Sequence, residues 1–199
     1  ISIFAKETNL KISYDPNYAP FSYKQDDKAA GLFIDIWKLW AKYNNYTIEF
    51  VNGVLWDDAI DLVKNKEVDF FLGSKKYEQW MVGSNPFYEI KSSFFKLSEN
   101  NISIEEKERL TIGIIGNDYE KILSEKFPNA NIKIYEDYIY SIEALKNKDI
   151  DFIYEDQIPI NFYTVKNNFF HLIKATNNLI LKNPVHAIAY DKKNAKIFN

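Results

Sequence analysis

Polar and apolar positions divide this chain into short strands and helices that alternate. In residues 10–14, Leu-Lys-Ile-Ser-Tyr, the alternation has the period of a strand with one covered face. Pro16 and Pro20 force a loop over 15–21. Residues 26–28 read as a polar hairpin tip. After Gly31 the period becomes helical, with Ile36, Trp37, Leu39, Trp40 and Tyr43 as the apolar positions of a helix over 32–43. A strand is predicted at 47–51. Trp56, Ala59, Ile60 and Val63 then mark one face of a second helix, and a strand follows at 68–72. Residues 84–88 form a turn, and 89–97 are extended.

The same order then recurs. Strands are predicted at 111–115, 132–135 and 150–154, and helices at 119–127 and 138–146. Gly116-Asn117-Asp118 is the turn into the first of these helices. A helix over 156–166 tolerates Pro159 in its first turn. Residues 179–190 are extended, and a last helix begins at Asp191 and runs to 198. The recurrence reaches the residues themselves. Lys64-Asn65-Lys66-Glu67-Val68-Asp69-Phe70 matches Lys146-Asn147-Lys148-Asp149-Ile150-Asp151-Phe152, and each copy ends a helix and opens a buried strand.

Two copies in one context predict two α/β lobes, each a mainly parallel sheet flanked by helices. The expected lobes are 1–96 with 184–199, and 97–183, joined by two crossover strands. In parallel sheets, ligands sit beyond the carboxyl ends of the strands. The loops at 15–21, 52–56 and 73–77 should therefore converge on one patch.

Composition narrows the chemistry. With 199 residues, 46% hydrophobic and 17% aromatic, the chain has ample material for packed cores. A net charge of −3 argues against a nucleic-acid partner. There is no cysteine, which excludes disulfides, thiol nucleophiles and cysteine metal sites. His171 and His186 stand alone, so no metal site is expected. No cofactor is expected either, because there is no glycine-rich phosphate loop, no G-x-S-x-G and no H-E-x-x-H. No apolar run approaches the ~18 residues that would span a membrane.

Asp15, Tyr18, Ala19, Pro20, Phe21, Gly31, Asp35, Trp56, Asp69 and Ser84-Asn85-Pro86-Phe87 stand in an order that resembles the first lobe of the bacterial extracellular solute-binding proteins of family 3, the type II periplasmic "Venus flytrap" proteins. Gly113, Gly116, Asp151, Asp156 and 186–191 resemble the second lobe and the return. The resemblance implies reversible capture of a small solute, outside the cytoplasm, between lobes that close over it. It implies no catalysis. It makes Tyr18 the aromatic that stacks on the ligand, with Trp56 facing it, and Asp15 a polar contact. Gly73, Ser74, Lys75, Lys76 and Tyr77 supply further contacts. In the second lobe it points to Asn117, Asp118 and Asp156, the last pairing with an ammonium group.

The residues also have structural readings. Trp56 begins an apolar stripe and could belong to the core. Phe21, Trp37, Trp40 and Trp80 are assigned to packing. Asp69 and Asp151 are expected to cap turns, and Asp156 could be a helix N-cap. One departure bears on the ligand. Amino-acid binders of this family carry an arginine after the first repeat strand, whereas this chain has Lys75-Lys76 there and its one arginine is Arg109. A small amine or amino-acid-like solute is expected. Family members continue past the helix at Asp191, so the chain fits the sensor ectodomain of a membrane receptor, with a receptor dimer as a candidate assembly and a free transporter-associated protein as the alternative. An enzyme using Glu78 or Glu155 as general acid, and a protein-interaction module, are the remaining readings.

Overall fold

The computed structural model describes residues 8–75, 78–104 and 109–197. Strands β1 (Thr8–Tyr14), β2 (Asn17–Tyr18), β3 (Ser22–Gln25) and β4 (Lys28–Ala30) lead into helix α1 (Leu32–Asn44). Next come β5 (Tyr46–Asn52), α2 (Trp56–Lys64), β6 (Phe70–Ser74), β7 (Val82–Gly83) and β8 (Tyr88–Leu97). The order continues with β9 (Thr111–Ile115), α3 (Glu120–Lys126), β10 (Asn131–Tyr135), α4 (Tyr138–Lys146) and β11 (Phe152–Asp156). It ends with α5 (Gln157–Lys166), β12 (Ile173–Ala175), β13 (Leu181–Ala189) and α6 (Lys192–Ala195). The chain divides into two compact units, Ile1–Glu89 with Pro184–Asn199, and Ile90–Asn183.

In the first unit β1 lies between β5 and β6, parallel to both, and β13 adds antiparallel to β6. Buried Phe33, Ile34, Trp37 and Ala41 put one side of α1 into the core, and the Trp37 indole donates to the Leu72 carbonyl at 2.8 Å. Ala59, Ile60 and Val63 of α2 form a second cluster with Phe71, Met81 and Ile188. The hairpin tip at 26–28 joins β3 to β4 in a separate small antiparallel sheet. Asp26 and Asp27 both adopt positive φ there, at 48° and 61°, as a two-residue turn requires. Gly31 enters α1 at φ 119°, and a Cβ there would lie 2.5 Å from the Phe21 carbonyl oxygen.

The second unit repeats the parallel core. β9 lies between β10 and β11, parallel to both, and β8 pairs antiparallel with β11. Its core holds Phe94, Ile112, Ile114, Leu123, Phe152 and Tyr154. The expected start of this unit at residue 97 moves to Ile90, because Ser92–Phe95 already pair with Ile153–Asp156. β12, which pairs with Leu97, Lys96 and Phe95, has no counterpart among the predicted strands. The final helix is shorter than the pattern suggests and ends at Ala195, its N-cap Asp191 accepting from the Asn194 N–H at 2.8 Å. The predicted terminus of that helix at Phe198 lies outside the described residues.

The two sequence repeats are one structural device used twice. Lys66 and Lys148 take left-handed φ values of 61° and 62° just past α2 and α4. The Lys66 and Glu67 N–H groups bond Val63 and Leu62, and those of Lys148 and Asp149 bond Leu145 and Ala144. This is the paired closure that satisfies the last carbonyls of a helix. Asp69 and Asp151 then do more than cap a turn. Asp69 accepts from the Lys11 N–H of β1 and Asp151 from the Thr111 N–H of β9, each at 2.8 Å. Their own N–H groups return to the carbonyls of the same two residues. Each aspartate thus pins its strand to the central strand of its unit.

Candidate functional site

In the first unit the predicted residues gather at the carboxyl ends of β1, β5 and β6. Tyr14 and Asn52 end their strands in register, so Asp15 and the 53–56 turn lie at one level. Asp15 follows β1, Tyr18 forms β2, Trp56 opens α2, and Gly73 and Ser74 close β6. Asp15 accepts from the Asn17 N–H at 2.8 Å. Burial pushes its carboxyl up to about 6, against the lowering effect of that hydrogen bond. The half-buried Tyr18 ring tilts against Phe21 at 5.1 Å, and the Lys75 ammonium lies 5.9 Å from its centroid.

Others in this group have structural work. Trp56 packs on the α2 cluster and meets Phe71 edge-on at 6.0 Å. At Gly73 a Cβ would stand 2.9 Å from Val185 and 3.0 Å from Phe87, so close packing there demands glycine. Phe21 is fully buried and stacks on Phe33 at 4.6 Å, as its assignment to packing anticipates. Trp40 stacks on Tyr46 at 5.2 Å, and Trp80 on Tyr190 at 5.9 Å. Lys76 and Tyr77 lie outside the described residues.

In the second unit the site centres on Asp156, the last residue of β11, which is wholly buried. The residue occupies the N-cap position of α5, but its side chain makes no capping bond. Instead Oδ1 accepts from the Ser92 hydroxyl at 2.7 Å and from the Tyr119 hydroxyl at 2.6 Å. The Asn183 amide donates to Ser92 Oγ at 2.9 Å and to the Tyr119 oxygen at 3.4 Å, so donors point inward towards one carboxylate oxygen. The Tyr119 ring is held edge-on against Tyr154 at 5.0 Å. Asn117 and Asp118 are exposed in the turn before α3, and Tyr119, which follows them, reaches Asp156.

Sequence reasoning missed Ser92, Tyr119 and Asn183. One signal was present: Ser92-Ser93 stands directly before Phe94-Phe95 in the extended run, and both serines are wholly buried. Gln157 donates to Ser93 at 3.1 Å, which accounts for the second serine. Glu155 accepts the Asp156 N–H at 2.9 Å and the Ile115 N–H at 3.3 Å, and Glu78 accepts the Trp80 indole at 2.7 Å. His186 meets the Ser84 carbonyl through Nδ1 at 2.6 Å. Among the described residues no group of three His, Cys, Asp or Glu side chains could hold a metal ion. No helix among them is long and apolar enough to cross a membrane.

Two α/β units with paired parallel cores define the type II periplasmic binding protein fold. The chain belongs to the bacterial extracellular solute-binding proteins, family 3, whose model matches residues 10–183. It is 29% identical over 165 residues to a Campylobacter jejuni protein named a probable histidine-binding protein, covering 79% of this chain and 64% of that one. It is 28% identical over 155 residues to a Vibrio harveyi protein, PatH, named for binding in amino-acid ABC transport, covering 71% of this chain and 60% of that one. The chain therefore spans less than two thirds of the length of either relative. Its fold also matches a histidine kinase sensor domain with similarity to periplasmic binding proteins, at TM-score 0.81 and 15% identity, covering 97% of this chain and 86% of that one.

Proposed function

We propose that this chain captures an amine-bearing, amino-acid-like solute outside the cytoplasm and closes on it. The observation that carries this reading is the Asp156 carboxylate, held in one orientation by the Ser92 and Tyr119 hydroxyls. A carboxylate fixed in advance forms charge-assisted bonds to an ammonium without an ordering cost of its own. Tyr18 offers a ring face for stacking, and Lys75 beside it offers a cation for the ligand's carboxylate, in place of the family's arginine. Driving a closure equilibrium from 1:99 to 99:1 takes about 5.5 kcal/mol of differential affinity. A cation pair and an aromatic stack are of that order together.

The setting we favour is the sensing part of a signal-transduction receptor; the second is the binding component of an ABC transporter. Catalysis is not part of the reading, because Glu155 and Glu78 are engaged in holding their own chain. The test is calorimetric titration with L-histidine, L-arginine, L-lysine and L-glutamine, alongside their deaminated acids. Binding by amino acids that Asp156→Asn abolishes is expected. Equal binding of the deaminated acids would overturn the assignment of Asp156 to an ammonium group.

A further inference from the structure

Helix α1 has two apolar sides, and the core uses one. Phe33, Ile34, Trp37 and Ala41 are buried. Leu32, Ile36, Leu39 and Tyr43 follow one another at spacings of four, three and four residues, which lines them up as a second stripe along the helix. Leu32 is 41% exposed, Leu39 54% and Tyr43 78%, while Ile36 is half-buried. An ordinary surface helix carries polar residues on such a face. Scattered exposed apolar residues need no explanation, but four in register along one helix form a seam.

We infer that this stripe is the surface through which two copies of the chain associate, α1 against α1, antiparallel about a two-fold axis between Ile36 and Leu39. The charges beside the stripe select this occupant. In the antiparallel arrangement Leu32 meets the partner's Tyr43, and Ile36 meets the partner's Leu39. The same operation carries Asp35 to the side of the partner's Lys42, twice over by symmetry. A parallel pairing would set Asp35 beside the partner's Trp40, so neither Asp35 nor Lys42 would meet an opposite charge across the seam. Asp35 is engaged with Lys38 in its own helix at 3.7 Å, but both side chains are more than half exposed, so that pair is readily exchanged.

The size of the seam sets the strength. Thirteen helical residues span about 20 Å, and one helix pair covers less than the ~800 Å² per partner of a stable free complex. Association of the separate chain is therefore weak, and it becomes effective where two copies are held near each other. The inference stands apart from the ligand reading, since none of these residues belongs to the candidate site.

The chain has no cysteine, so introduced thiols report without background. Chains carrying I36C and L39C singly should cross-link to one another faster than either links to itself, and L32C should likewise prefer Y43C. A control, K28C, should not link above chance. Sedimentation of the wild-type chain from about 10 µM to 1 mM should show reversible dimer, with L39K weakening association at least about tenfold. D35K should weaken it and D35K/K42D restore it. Faster self-linking of I36C would overturn the antiparallel pairing. A chain that stays monomeric throughout and links no better than K28C would overturn the dimer, leaving the stripe to a different protein. The cross-linking pairs decide the matter even if L39K is poorly folded.

Discussion

Replacing Tyr119 by Phe removes a single oxygen from the Asp156 cluster and keeps the ring. The edge-on contact with Tyr154 at 5.0 Å survives, so the change isolates the hydroxyl. That hydroxyl donates to a buried carboxylate oxygen at 2.6 Å. Hydrogen bonds to a charged group are worth about 1.5–3 kcal/mol in folded proteins, roughly twice a neutral one. Asn183 loses only its long 3.4 Å contact and keeps Ser92 at 2.9 Å, so little is added from that side. Tyr119→Phe is therefore expected to cost about 1.5–3 kcal/mol, or roughly 3–12 °C in melting temperature for a chain of this size. Urea unfolding followed by circular dichroism reads the loss directly. The same substitution in an Asp156→Asn background should cost about half as much, because the acceptor is then neutral. A cost below about 0.5 kcal/mol, or the same cost in both backgrounds, would refute the claim that Tyr119 holds the Asp156 charge.

Two further outcomes follow from other parts of the molecule. The Asp15 carboxyl stands at about 6 in the folded chain against 3.8 ordinarily, so the folded state keeps this proton longer than the unfolded state does. Its contribution is present below about pH 4 and is lost as pH rises through 6; Asp15→Asn should remove that slope and raise stability at pH 7.5 by roughly 1–3 kcal/mol, and an unchanged slope in pH-dependent melts would refute it. Asp69→Ala and Asp151→Ala should each cost about 1–2 kcal/mol in urea unfolding, because each leaves a strand N–H without its carboxylate; a neutral result at either would show that the two pins are not equivalent.

The sequence by itself determined the order of the helices and of the strands that build the two parallel cores, the two-fold recurrence and the family. Each of these rests on local period or on short residue strings. Lys64–Phe70 and Lys146–Phe152 announced a helix end and a strand start, and both occur where expected, because the bonds that close α2 and α4 join residues within five positions of each other. The loops at the carboxyl ends of β1, β5 and β6 were legible for the same reason, since parallel βαβ order dictates which ends of the strands they leave. Tertiary structure alone decided what the polar side chains touch. Ser92 meets Asp156 from 64 positions away, and Asn183 meets Ser92 from 91. Strand register and helix placement bring these partners together, and no local pattern encodes either. Trp56 turned towards the α2 cluster, and Asp69 and Asp151 towards a neighbouring strand, for that reason. The start of the second unit moved to Ile90 because a strand belongs to whichever sheet supplies its hydrogen bonds, and those partners lie far along the chain.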